Sequence, residues 1–237
     1  MKQKWIFGVF SIAVMLAVIV GILLRYQHTS LERLQDLSKK TFEQFHSTAD
    51  KDNDGIDDQV DILQGALDYC NTNPKYKSKY YDGGYPNDGY GVCTDVVAYA
   101  MKAAGYDLME LVEKDIREHS DEYGITKPDK NIDFRRVKVL QIFFQNCADK
   151  LTTDVFDVDQ WQGGDIVIFE NHIGIVSDRR NADGVPYMIH HNDPWQKSYE
   201  QDILEKRDDI VGHYRWLPEE ECIDDNRYKY NDFHFRG

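Results

Sequence analysis

The sequence predicts an α+β fold, and three observations lead there. Apolar residues recur at helical spacing through most of the first 147 residues, whereas short apolar runs divided by turn residues take over from Trp161. Helices first and antiparallel strands second is the order of an α+β arrangement. Ahead of both lies a charge-free run of 20 residues, WIFGVFSIAVMLAVIVGILL, long enough to cross a hydrocarbon core of about 30 Å as a helix.

That run is the first element. The apolar part of a cleavable signal peptide spans about 7–15 residues and leads into a small-residue cleavage site. Here the run is longer and ends in Leu23-Leu24-Arg25 without such a site, so an uncleaved single-pass anchor is expected. Lys2 and Lys4 precede it, which places the N-terminus in the cytoplasm and everything after Arg25 outside.

Leu31, Leu34, Leu37, Phe42 and Phe45 follow at mostly helical spacing and predict an amphipathic helix. A polar loop over residues 50–61 comes next. Val60, Leu63, Ala66, Leu67 and Cys70 mark a second helix. Residues 71–90, rich in Tyr, Gly, Lys and Asn with Pro74 and Pro86, read as an irregular loop. A helix over residues 92–104 should stop at Gly105, and Asp107 should cap the next one, which runs through Ile116. Asp133 precedes a further helical pattern of Val137, Leu140, Ile142, Phe143 and Phe144. Gly163-Gly164-Asp165 is a turn signal before a strand over residues 166–169. After Glu170-Asn171 comes a strand from His172, then a turn over residues 181–184, a strand over 185–191 and a last one over 210–216.

Without Lys2, Lys4 and Arg25, the outer part carries 25 basic against 42 acidic residues, a formal charge of −17. Such a surface repels nucleic acid and anionic headgroups, so neither is expected as a partner, and contact with a membrane falls to the N-terminal helix. The four cysteines show no CxxC or Cys/His zinc spacing. With Cys93 reserved for chemistry, the other three allow at most one intramolecular disulfide, and spacing does not choose the pair.

Cys93 stands where a glycine-rich loop meets the start of an apolar helix, in YGVCTDV. Unpaired N–H groups and the positive end of the helix dipole favour a thiolate there; a small buried cysteine is the plain alternative. His172 opens a strand directly after a tight turn, and His190-His191-Asn192 closes the next one. Nucleophile, base and a polar group orienting the base form the constellation of covalent amide chemistry. Alternation along the strand puts His190 and His191 on opposite faces.

Several other residues allow two readings. Arg135 or Arg136 could grip a substrate carboxylate, against a structural ion pair. His213 reads as structural, Asp95 as a helix-start carboxylate, and Tyr80, Tyr81, Tyr85 and Tyr90 as cleft contacts or loop packing.

The stretches GVCTDVVAYAMKAAGYDLMELVEKDI, NIDFRRVKVLQIFF, WQGGDIVIFENHIGIVSDRRNADGVPYMIHHN and IVGHYRW resemble the NlpC-like cell-wall cysteine peptidases of the papain superfamily, relatives of the CHAP amidases. More closely still, they resemble an uncharacterised bacterial domain-of-unknown-function family grouped with them. The resemblance covers most of residues 56–216. It implies a papain-like fold of helices packed on an antiparallel sheet, with Cys93 as nucleophile, His172 as base and His191 as orienter, His190 or Asn192 being the alternatives. It also implies peptidoglycan or another peptide as substrate.

Residues 50–61, DKDNDGIDDQVD, fit an EF-hand calcium loop. Asp50, Asp52, Asp54 and Asp58 occupy positions 1, 3, 5 and 9, Gly55 takes the sharp turn, and Ile56 offers its carbonyl. Asp61 stands at position 12, where the pattern prefers the longer Glu. A structural Ca²⁺ ion is therefore expected, between flanking helices.

The expected organisation is an anchor over residues 1–25, a helix–calcium loop–helix unit over 26–72 and an NlpC-like hydrolase domain over 73–237. The expected function is an anchored extracytoplasmic cysteine amidase or peptidase. Two alternatives stand beside it: a catalytically silent calcium-dependent cell-surface binding domain, and a transacylase using the same Cys and His.

Overall fold

The computed structural model describes residues 2–223; the expected domain end at 237 lies outside them. In chain order come helices α1 (Lys2–Arg25) and α2 (Asp58–Asn71), strands β1 (Lys75–Tyr76) and β2 (Tyr90–Gly91), and helices α3 (Cys93–Ala103) and α4 (Leu108–Glu118). Two short helices, α5 (Ser120–Tyr123) and α6 (Lys130–Asp133), lead to α7 (Val137–Cys147). Strands β3 (Asp149–Lys150), β4 (Ile166–Phe169), β5 (His172–Arg180), β6 (Pro186–Ile189), β7 (Glu200–Gln201) and β8 (Ile210–Arg215) follow, and α8 (Glu220–Ile223) is last. This is a mixed architecture of helices and an antiparallel sheet, preceded by an apolar helix.

The sheet has the order β3-β8-β4-β5-β6-β7, antiparallel at every pairing. Its two faces bury different cores. Ile166, Ile168, Ile173, Ile175 and Ile189 pack against Val96, Val97, Ala100, Leu140 and Phe143 on the helical side. Val167, Phe169, Val176 and Met188 pack against Trp161 and Leu204 on the other. Strand alternation produces this split. Burying each of these large side chains stabilises the fold by about 1.5–3 kcal/mol.

Within α1, Phe7–Arg25 is long and apolar enough to cross a membrane, and its apolar side chains are exposed. A membrane anchor or a signal sequence accounts for such a helix.

The expected helix over residues 31–45 does not form. This segment is an extended strap across the sheet, and tertiary bonds to the sheet replace those a helix would make within itself. Leu37 N–H donates to the Arg180 carbonyl (2.8 Å), Leu34 N–H to Glu200 Oε2 (2.6 Å), and the Tyr187 hydroxyl to the Gln35 carbonyl (3.0 Å). Arg33 binds Glu200 and Ser177. The apolar residues that mimicked a helix serve elsewhere: the Arg180 guanidinium sits 3.8 Å over the Phe42 ring, and that of Arg215 sits 4.4 Å over Phe45.

The caps are mostly as the sequence predicts. Asp57 accepts from Gln59 and Val60 N–H at the start of α2, and Asp107 from Met109 and Glu110 N–H at the start of α4. Gly105, at φ +80°, ends α3. Asp133 does not cap α7; it accepts the Asp129 N–H and pairs with Arg136. A disulfide joins Cys147 to Cys222, leaving Cys70 and Cys93 as thiols.

Candidate functional site

Cys93 is the first residue of α3, and α3 lies along β5. The Val92 N–H ahead of it donates to Asp95 Oδ2 (2.8 Å), which closes the helix start. Burial dominates the thiol and pushes it up to about 11, although N–H groups of Ile173, Thr94 and Cys93 itself favour the thiolate. The resting group is therefore a neutral thiol. The helix-start N–H groups favour the thiolate as expected, Ile173 on β5 adds a donor that the helix start does not supply, and desolvation outweighs them all.

The Ile173 N–H places the sulfur beside the start of β5, one residue from His172. The β5–β6 ladder begins at Ile175 and Ile189.

His172 is buried, and its Nε2 lies 2.8 Å from His190 Nδ1. His190 Nε2 in turn lies 3.0 Å from Gln201 Oε1 on β7. Burial holds His172 near 3 and His190 near 4, helped by repulsion between the imidazoles, so both rings are neutral at pH 7. The tautomers then follow from the chain of bonds. Gln201 Oε1 can only accept, so His190 carries its proton on Nε2 and accepts on Nδ1. His172 must therefore donate from Nε2, which leaves its Nδ1 as a free proton acceptor. Close strand approach is needed for this pairing. A Cβ on Gly174 would meet the Met188 methyl at 2.3 Å and His190 Cβ at 3.0 Å.

The residue bonded to His172 is thus His190 and not His191, the orienter expected first. His191 alternates onto the helical face, where its ring meets Tyr199 and Tyr76 edge-on at 5.2 Å each. Its Nδ1 is buried without a hydrogen bond. Burial raises the Tyr76 phenol, and charge on the neighbouring Cys93 would raise it further. Asn192 turns to Asp193 and Gln196. Among the described residues no hydrogen bond joins the Cys93 sulfur to an imidazole. The Ile173 N–H meets the Cys93 sulfur on the helical side of the sheet, whereas the His172 ring lies beside Phe169 on the other face.

Sequence reasoning missed Gln201, which fixes the His190 tautomer from a two-residue strand, and Tyr76. Neither has a local signal. Arg135 is not free for a substrate carboxylate: it grips Asp95 in bidentate fashion (2.6 and 2.9 Å) and donates to the Lys79 carbonyl. His213 is structural, stacked 3.7 Å from Trp161 and bonded to Thr152 and Asp165. Tyr80, Tyr81 and Tyr85 bond Asp129, Asp88 and Asp107. Tyr90 lines a cavity of about 600 Å³ with Tyr69, Tyr99 and Lys102, one turn of chain before Cys93.

The acidic loop lies at the opposite end of α3. Oxygens of Asp50, Asp52 and Asp54 come within 4.8 Å of one another. Asp58, expected to join them, instead accepts from Lys51 N–H (2.8 Å) and from the Tyr106 hydroxyl (2.5 Å). Ile56 N–H donates to Asp54. Asp61 sits in the first turn of α2, pushed up to about 6 by burial and by the charges of Asp54, Asp52, Asp58 and Asp50. No helix enters this loop, since the strap precedes it.

Comparison with known proteins places most of this site inside one family. The family model described as Domain of unknown function (DUF1287) matches residues 63–216. The chain is 36% identical over 153 residues to the uncharacterized protein YijF of Escherichia coli (strain K12), an alignment covering 61% of this chain and 73% of that protein. No solved structure matches it. The matched span holds Cys93, His172, His190 and Gln201, and the chain belongs to the DUF1287 family.

Proposed function

We propose that this chain is a membrane-tethered, extracytoplasmic cysteine amidase or peptidase of the NlpC-like, papain-related type, acting on peptidoglycan peptides. The observation that carries the reading is the Gln201–His190–His172 chain of bonds, which leaves His172 Nδ1 as a proton acceptor on the residue next to Ile173, whose N–H meets the Cys93 sulfur.

Because thiol and imidazoles rest neutral, the chemistry is general-base catalysis and not attack by a standing thiolate. Cys93 Sγ attacks an amide carbonyl as its proton passes to His172 Nδ1. The amide C–N bond breaks, the amine leaves with that proton, and a thioester to Cys93 remains. Water, deprotonated by the same nitrogen, hydrolyses the thioester and restores the thiol. Because the His172 ring lies on the opposite face of the sheet from Cys93, this transfer requires the ring to turn across the start of β5 on substrate binding. The extracytoplasmic location rests on the charge bias around α1, and the substrate rests on that location and on the family resemblance.

Digestion of purified peptidoglycan by the full chain in detergent tests the reading. The wild type should release peptide fragments, and Cys93→Ala should release at least about 10³-fold less; equal release by both would refute it. One observation favours a second reading: a neutral thiol without a hydrogen bond to an imidazole also suits a catalytically silent binding domain. That reading predicts peptidoglycan binding without release of fragments by the wild type.

A further inference from the structure

The reaction proposed above makes no use of the acidic loop, which packs against the far end of α3. A Cβ on Gly105, the residue that ends α3, would meet Asp52 Cβ at 3.1 Å and Asp52 N at 3.2 Å. We propose that residues 50–61 form a calcium site, with the carboxylates of Asp50, Asp52, Asp54 and Asp61 and the carbonyl of Ile56 as ligands.

Three exposed or half-exposed aspartates with oxygens within 4.8 Å of each other would be weak grounds on their own. Asp61 is the independent observation. It is only 8% exposed, and its Oδ2 is buried without a hydrogen-bond partner. The charges that bear on it are those of Asp54, Asp52, Asp58 and Asp50, so it borders the cluster, just outside the 4.8 Å group of the three loop aspartates. A buried carboxylate oxygen without a donor costs free energy. A cation between Asp61 and the three loop aspartates answers that oxygen and the mutual repulsion together.

The donor set selects the ion. Every proposed ligand is a hard oxygen, which excludes a preference for zinc or copper. The ligands come from a flexible loop and one helix turn, which suits the irregular six- to eight-fold shell of calcium better than the strict octahedron of magnesium. The structure also revises the expected ligand set. Asp58 is committed to Lys51 N–H and Tyr106, so a water fills its position. Asp61 is one methylene shorter than the usual Glu, which places the affinity in the weak range of extracellular modules, about 10⁻⁴–10⁻³ M.

The site has a mechanical consequence. Its ligands span the end of the strap and the first turn of α2, and its neighbours Gly105 and Tyr106 follow α3. A bound ion would therefore lock α2 to α3, the helix whose other end carries Cys93. This assignment stands whether or not the chain is a hydrolase.

The test uses the full chain in detergent, stripped of metal with EGTA and melted with or without calcium. At about 10 mM CaCl₂ the melting temperature of the wild type should rise by about 5–10 °C. The same concentration of MgCl₂ should give less than half that rise. Asp61→Asn and Asp52→Asn should each abolish the rise, yet melt without metal at or above the wild-type temperature because each relieves repulsion. Asp121→Asn, an exposed change on α5, should keep it. The proposal is overturned if calcium leaves the wild type unmoved, if magnesium serves equally, or if Asp61→Asn gains as much as the wild type. A metal-free Asp61→Asn chain melting several degrees lower would overturn it too, by making the carboxylate structural.

Discussion

At one end of α3, Cys93 sits among groups that burial has stripped of charge: a neutral thiol near 11 and imidazoles near 3 and 4. At the other end, Gly105 abuts a loop where carboxylates crowd together, one of them buried without a hydrogen-bond partner. The same 11-residue helix joins them. The difference lies in how each end treats desolvation. The Cys93 end keeps its thiol and imidazoles neutral, links His172, His190 and Gln201 by hydrogen bonds, and pairs its buried charges, Asp95 with Arg135. The loop end concentrates charge beyond what its own hydrogen bonds neutralise, which suits an ion from outside.

Removing the orienting imidazole should disturb the first end most. His190→Ala should lower kcat on peptidoglycan peptides by roughly 10²–10⁴-fold with little change in KM, as loss of a tautomer-fixing partner does. His191→Ala, whose ring meets only tyrosines, should leave kcat within about threefold on the same comparison. The reverse order would show that the imidazole on the α3 side of β6, His191, serves the thiol.

The next effect is on stability. Asp95 and Arg135 lie beside the start of α3 with side chains 0% and 2% exposed. Asp95→Ala would strand a buried guanidinium and should destabilise the chain by about 3–5 kcal/mol in urea denaturation. A loss under about 1 kcal/mol would mean that water reaches Arg135.

A smaller effect separates the two ends by pH. His172 and His190 take up protons in the folded chain only near pH 3–4, whereas unfolded histidine does so near 6.5. Between these values the unfolded state holds more protons, so stability rises with pH. Cooling of the melting point should therefore set in as pH falls below about 6.5, on the order of 1 kcal/mol per unit for each imidazole. His190→Asn should flatten the slope by about one such contribution. An unchanged slope would show His190 to be hydrated.

Much of the fold was legible because its signals are local. Asp57 and Asp107 cap helices that begin where the apolar periodicity does, and Gly164, at φ +92°, turns the chain into β4 as the Gly-Gly-Asp signal indicates. The strap was not legible, because Leu34 and Phe42 show helical spacing while their partners lie more than 130 residues away on the sheet. The choice between His190 and His191 was open for a related reason: alternation says that they face apart, but only the packing of α3 says which face is which. Arg135 was ambiguous because its partner Asp95 is 40 residues distant. The neutrality of Cys93 was hidden as well, since a helix start is read from sequence and desolvation is not.

The central claim is that Cys93 forms a covalent bond to substrate. Intact-mass and peptide-mass spectrometry of the full chain, acid-quenched during turnover of peptidoglycan stem peptides, tests it most directly. The account predicts an acyl adduct confined to the peptide carrying Cys93, labile to hydroxylamine and absent from Cys93→Ala. Fragment release with no adduct on Cys93, or with an adduct on another residue, would contradict it.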